Sequence, residues 1–144
     1  GWFFEASLAL LDAGYDDIDT SVTLIGKKFD FERVPETTVS LGVSKEISLS
    51  DLGILTFRAD WSYRSETFND AYNTTLLETD SYDLFDASVR WSNPQDDWTV
   101  VLSGRNLTNE EFLVTGVYGT AFQSYEGTYN RGRQWQLEVR KHFN

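Results

Sequence analysis

The chain has 144 residues, a hydrophobic fraction of 40%, an aromatic share of 15% and a formal net charge of −11. That length supports one modest domain, the acidic balance speaks against a phosphate backbone, so no nucleic-acid partner is expected, and the absence of cysteine removes both a disulfide framework and any cysteine-based metal site. No apolar run approaches the roughly 20 residues a membrane-spanning helix needs, which leaves transmembrane β-barrels open, because alternating lipid-facing and lumen-facing residues read as polar on average.

The sequence contains no methionine and opens on "GWFFEASLAL" without the basic start of a secretion signal. A mature product or an excerpt of a longer protein is therefore expected. The first predicted strand is that stretch, with Phe4, Ala6, Leu8 and Leu10 on one face and Glu5 and Ser7 on the other. A second, "TVSLGVSKE", sets Val39, Leu41 and Val43 against Ser40, Gly42 and Ser44. The third, "ILTFRADWSYR", sets Leu55, Phe57, Ala59, Trp61 and Tyr63 against Thr56, Arg58, Asp60, Ser62 and Arg64, and its length matches the roughly 9–11 residues of a tilted bilayer-spanning strand. "FDASVRW" and "WTVVLSGRN" continue the pattern, with Phe85, Ala87, Val89, Trp91, Trp98, Val100 and Leu102 opposed to Asp86, Ser88, Arg90, Thr99, Ser103 and Arg105. The last, "RGRQWQLEVRKHFN", places Trp135, Leu137, Val139 and Phe143 opposite Gln134, Gln136, Glu138, Arg140 and His142, with Lys141 as the exception. Alternation with a period of two belongs to strands, since successive side chains point to opposite faces of a sheet.

The connections alternate too. "SLSDLG" and "SNPQDD" are short and carry turn chemistry. The links around "AGYDDIDTSVTLIGKKFDFERVPE", "SETFNDAYNTTLLETD" and "LTNEEFLVTGVYGTAFQSYEGTYN" are long and rich in Asp, Glu, Tyr, Asn and Gly. Sorting long loops to one end has no cause in a soluble sandwich, whereas outer-membrane barrels pair short periplasmic turns with long outer loops. Aromatic residues mark both ends: Trp2, Phe4, Trp91, Trp98 and Phe143 near the short turns, Tyr63 and Tyr82 at the other end, as the two interfacial belts of a membrane barrel require. The expected fold is an all-β, antiparallel transmembrane β-barrel segment of about six strands in three hairpins.

"GRNLTNEEF", followed by a long Gly- and Tyr-rich loop and a final alternating strand, resembles the C-terminal end of TonB-dependent outer-membrane receptors, where an Asn-Leu-Thr-[Asp/Asn]-x-x-[Tyr/Phe] stretch leaves the penultimate strand. Here those positions are Asn106, Leu107, Thr108, Asn109 and Phe112. The resemblance extends back through "RADWSYRSE" and "LLDAGYDD", and so covers essentially residues 1–144. It implies a barrel of twenty-two strands, of which these would be the last, with the plug domain and its TonB-contacting motif upstream. It implies residence in the outer membrane of a Gram-negative bacterium and active uptake of a scarce solute, most often a ferric siderophore. The implied partners are outer-membrane lipid, the rest of the barrel and the plug, the TonB complex, the barrel-assembly machinery and a small-molecule substrate, with no cofactor and no catalysis. Trp135, Leu137, Val139 and Phe143 resemble the C-terminal signal read by the assembly machinery, although Asn144 follows Phe143 and Lys141 stands where an apolar residue is usual. A soluble β-barrel or sandwich binding module and a small passive outer-membrane channel are the alternatives.

On this reading Arg58, Asp60, Arg64, Asp86, Arg90, Arg105, Glu138 and Arg140 form a polar wall facing the lumen. Substrate contact falls to the loop aromatics Phe68, Tyr72, Tyr118, Phe122, Tyr125 and Tyr129, which combine an apolar body with a polar handle. "DDID" at Asp16, Asp17 and Asp19 lacks the ordered glycine and distal glutamate of an EF-hand, and no metal site is assigned. His142 has no nucleophile and orienting group beside it in sequence. The Asn106 sequon reads as a strand end.

Overall fold

In the computed structural model, residues 1–19, 21, 23, 25 and 29–143 are described. Six long strands carry the fold: β1 (Trp2–Leu10), β2 (Thr37–Ser48), β3 (Ile54–Arg64), β6 (Tyr82–Ser92), β7 (Trp98–Arg105) and β10 (Gln134–Lys141). Between them lie four short ones, β4 (Thr67–Phe68), β5 (Glu78–Thr79), β8 (Leu113–Gly119) and β9 (Ser124–Tyr129), and single 3-10 turns at Ser50–Leu52 and Thr75–Leu77. The long strands pair antiparallel in the order β1-β2-β3-β6-β7-β10, a meander in which each pairs with its predecessor among the six.

The register puts every alternating apolar residue on one face. Ala6, Leu41, Trp61 and Phe85 form one row across the sheet, and Phe4, Val43, Ala59, Ala87, Gly104 and Trp135 the next. Their neighbours along each strand give a polar face. A one-residue slip of any strand would exchange the two sets, so the hydrophobic pattern itself fixes the pairing.

Among the described residues nothing packs on the apolar face. Phe4 is 73% exposed and Leu137 67%, and the only buried hydrophobic residues among those described, Leu77 and Leu113, lie in the loops. A soluble sandwich would cover this face with a second layer, so that alternative does not describe the chain. Among the described residues the sheet is open: β1 and β10 each keep an unpaired edge, and in a membrane such edges must be closed by further strands.

The two short turns lie at one end. In the first, Leu49 N–H donates to the Gly53 carbonyl at 2.8 Å. Gly53 has φ of 99°, and a Cβ there would meet the Ser92 carbonyl oxygen at 2.0 Å, so only glycine fits between the adjacent hairpins. In the second, Asn93 accepts from Trp98 N–H through its side chain at 2.8 Å, and Asp96 takes the left-handed conformation with φ of 53°. Pro94 follows Asn93, the position where its fixed φ suits a turn.

Two sequence expectations change. The long links hold the β4-β5 and β8-β9 hairpins, which have no clean alternation to announce them. Tyr82 pairs with Arg64 and therefore stands on the polar face, its ring stacked on Phe112 at 3.7 Å, so it does not join Tyr63 in an interfacial belt. The belt at the short-turn end keeps Trp2, Trp91 and Trp98 on the apolar face.

Candidate functional site

The polar face is a wall with internal ion pairing. Arg58 donates to Glu5 at 2.8 Å and to both oxygens of Asp60, at 2.7 and 2.8 Å. Glu5 and Arg58 lie on β1 and β3, and the pair reaches over Gly42 of the intervening strand. A Cβ on Gly42 would come to 3.0 Å from an Asp60 oxygen, so glycine leaves room for the cluster. Asp60 and Asp86 stand directly opposite each other; the repulsion is offset because Arg58 holds one and the Asn106 amide N–H donates to the other at 2.8 Å. Arg140 donates to Glu138 at 2.5 Å. Arg58, Asp60, Arg64, Asp86, Arg90, Arg105, Glu138 and Arg140 all share this face.

At the other end the three long loops form one cap. Arg33 of the first donates its backbone N–H to the Phe68 carbonyl at 2.8 Å and its guanidinium to the Thr115 hydroxyl at 2.8 Å, joining the second and third loops. Asn73 and Asp30 exchange two bonds, at 2.7 and 3.0 Å. The buried Asn69 donates to the Leu77 carbonyl and the Thr79 hydroxyl, and Thr79 donates to the Leu113 carbonyl at 2.8 Å. Leu77 is the small core of the cap, at 2% exposure. It lies against Gly116, where a Cβ would come to 2.8 Å from a Leu77 methyl, and Leu113 occupies the corresponding space over Gly127.

Beneath the cap, where it meets the polar face, Arg33, Arg64, Thr67, Asn69, Tyr82 and Phe112 line a cavity of about 120 Å³. Arg64 donates through Nη2 to the Arg33 carbonyl at 3.1 Å, while its buried Nε makes no hydrogen bond. Two guanidinium groups beside a stacked Tyr-Phe pair suit a flat or anionic group.

The aromatic residues expected to meet substrate do not converge on this cavity. Tyr118 and Tyr125 face each other across β8 and β9 with centroids 4.9 Å apart, and Phe122 at the hairpin tip is 82% exposed. Tyr129 and Tyr72 are exposed at 65% and 55%, and Phe68 contributes its carbonyl to Arg33. None of the six lines the cavity. Arg33, Asn69, Asn73 and Leu77 were not legible as site residues, since polar loops commonly contain Asn and Arg and only the register brings these together.

The Asn-Leu-Thr stretch is a joint. Asn106 takes φ of 50° and is 6% exposed. Its side-chain amide donates to the Glu110 carbonyl at 2.8 Å and the Arg131 carbonyl at 3.2 Å, and its oxygen accepts from Glu110 N–H at 2.8 Å. Leu107 folds back over Gly104 beside Trp135. Asn109, also left-handed, accepts from Arg133 N–H at 2.9 Å. The motif thus pins the exit of β7 to the entry of β10, and the Asn106 amide is fully engaged.

At the short-turn end Asp97 accepts from Lys141 and from Asn93, and these bonds, the lysine first, hold its carboxyl below the ordinary carboxylate range. In the first loop the Ser21 hydroxyl and amide lower Asp19 in the same way. His142 contributes its backbone N–H to the Asp97 carbonyl at 2.8 Å, and its ring is exposed. Phe143 is 88% exposed. Asn144, and Thr20, Val22, Leu24, Gly26, Lys27 and Lys28 of the first long link, lie outside the described residues.

Residues 2–107 match the family model described as TonB dependent receptor-like, beta-barrel. That span takes in the first five long strands and ends inside the Asn106 joint. No curated protein matches the chain by sequence. Among solved structures, the siderophore receptor PiuA from Acinetobacter baumannii superimposes with a TM-score of 0.72 at 20% identity, over 97% of this chain and 19% of that one. The ferric yersiniabactin uptake receptor FyuA from Yersinia pestis gives 0.70 at 20% identity, over 78% and 17%. BauA, the ferric preacinetobactin receptor from Acinetobacter baumannii, gives 0.57 at 21%, over 77% and 16%. The chain therefore spans less than a fifth of the length of each of these structures. By the family match, and with a fold shared by these receptors, the chain belongs to the TonB-dependent receptor-like β-barrel family of the bacterial outer membrane.

Proposed function

We propose that this chain is the C-terminal part of a TonB-dependent receptor barrel, and that the whole protein takes up a scarce solute, in the first place a ferric siderophore, across the outer membrane. The observation that carries the reading is the single six-stranded sheet, apolar on one face, polar on the other, with interlocked long loops at one end. Its apolar face meets lipid and its polar face the lumen, where Arg58, Asp60, Arg64, Asp86, Arg90, Arg105, Glu138 and Arg140 contact the plug or the passing solute. The loop rim of Phe68, Tyr72, Tyr118, Phe122, Tyr125 and Tyr129 makes the first contact, and the cavity at Arg33 and Arg64 receives an anionic part of the substrate. The likeness to the siderophore receptor PiuA, the ferric yersiniabactin uptake receptor FyuA and the ferric preacinetobactin receptor BauA supports that substrate class. The wall carries out no bond chemistry of its own. Energy arrives through the plug from the TonB complex, and Trp135, Leu137, Val139 and Phe143 act earlier, as the strand that the barrel-assembly machinery engages.

The full-length protein, produced in an iron-starved Gram-negative host lacking its own siderophore receptors, is expected to take up radiolabelled ferric siderophore only when TonB is present. Uptake that persists without TonB would make the protein a passive channel, and failure to take up any of a panel of siderophores would remove the substrate assignment.

A further inference from the structure

Charged residues on the apolar face are distributed unevenly. They are Lys45 and Lys141 near the short turns and Asp83 near the long loops. Asp83 accepts from the Trp61 indole at 3.2 Å. Lys141 is paired with Asp97 of the adjoining turn and lies 4.9 Å from the Trp98 ring centroid. Lys45 also lies 4.9 Å from an indole, that of Trp2, but makes no ion pair among the described residues, and Asp51 of its own turn does not reach it. Its row reads Trp2, Lys45, Phe57, Val89, Leu102, Leu137, so every other member is apolar. Among the described residues the Trp2 indole N–H likewise donates to no group.

We infer that Lys45 and Trp2 form a binding site for the phosphate of an anionic phospholipid in the leaflet at the short-turn end. The inference rests on the reading that the apolar face meets lipid. An ammonium there turns its head along its apolar stem toward the membrane boundary, and the boundary is where indoles settle. The pair offers donors and positive charge with no acceptor, a set that complements a phosphodiester of net negative headgroup charge and disfavours one whose charge a choline or an ammonium cancels. The ring beneath Lys45 restricts the stem and presents the ammonium at the height of Trp2. Lys141 is the internal contrast: the same lysine-over-tryptophan arrangement, already neutralised by Asp97.

The test uses the full-length receptor in phosphatidylcholine nanodiscs containing increasing fractions of brominated phosphatidylglycerol or brominated phosphatidylcholine. Quenching of Trp2 is read as the difference between the native protein and Trp2→Phe. Brominated phosphatidylglycerol is expected to quench at a roughly fivefold lower mole fraction than brominated phosphatidylcholine. The preference should vanish in Lys45→Gln, persist in Lys45→Arg, and withstand excess inorganic phosphate. Equal quenching by the two lipids would overturn the site while leaving the lipid-facing wall intact. Loss of the preference to inorganic phosphate would overturn the assignment to lipid. Absence of quenching by either lipid would show that the face does not meet lipid, and the proposed wall would fall with the site.

Discussion

Trp91 reaches beyond its own hairpin and donates its indole N–H to the Leu52 carbonyl at 2.8 Å, tying one short turn to the next. The bond joins the β2-β3 and β6-β7 hairpins at the level where the strands leave the apolar layer. Trp91→Phe keeps a ring and removes the donor. The expected loss is about 1 kcal/mol in detergent unfolding of the full-length receptor. No change would mean that water satisfies the Leu52 carbonyl equally well.

Asn106 combines a left-handed backbone with a saturated side chain. Asn106→Ala should destabilise by roughly 2–4 kcal/mol, from unpaired polar groups and backbone strain together. Asn106→Gly removes only the strain and should recover part of that loss. The folded fraction of receptor in isolated outer membranes, read by its resistance to unfolding in cold detergent, separates the two terms.

Acid should open the clasp between Lys141 and Asp97. The folded-state pKa of Asp97 is depressed below its ordinary value of 3.8, so the clasp contributes fully above that value. The contribution is lost as pH falls from there through the lowered native pKa. In Asp97→Asn the stability of the full-length receptor should decline less steeply over that window, while the two proteins keep parallel pH dependence near neutrality. Identical acid limbs would show the pair to be without energetic weight.

Leu77→Ala should empty the core of the loop cap. A leucine truncation typically costs 2–5 kcal/mol, but here the loss stays local, because the main sheet draws nothing from Leu77. Hydrogen exchange should accelerate at Asn69, Thr79 and Leu113 and remain unchanged in β2 and β3. Uniform acceleration would mean that cap and sheet unfold as one unit.

If the 144-residue chain is part of a larger barrel as proposed, then taken by itself it should aggregate in detergent-free buffer, because it exposes an apolar face and two open edges. Light scattering that reports a monodisperse monomer with a cooperative melt would contradict that expectation.

The six strands were legible because period-two alternation is strong where the two faces of a sheet meet different surroundings: residues 54–64 were bounded as found, and the apolar assignments within the paired strands share a face, while Phe143 lies beyond the end of β10. Lys141, the exception in the final strand, makes sense only in three dimensions, since Asp97 is 44 positions away. The Glu5-Arg58 pair was hidden for the same reason, because it depends on a register spanning three strands. Tyr82 was misplaced because one step in parity decides its face, and its neighbour Tyr63 lies on the other. The small hairpins in the loops were illegible because β8 and β9 contain Gly116, Gly119 and Gly127 and a bulge, which erase alternation. The loop aromatics are visible in the sequence as residue types only, whereas the Arg33-Arg64 cavity requires three loops to come together.

Because Arg33 is bonded to both Phe68 and Thr115, the three long loops are not separate inheritable parts. A graft that replaced one of them with a loop from a related barrel would strip partners from the two that remained, so altering the proposed recognition surface calls for exchanging all three as a set.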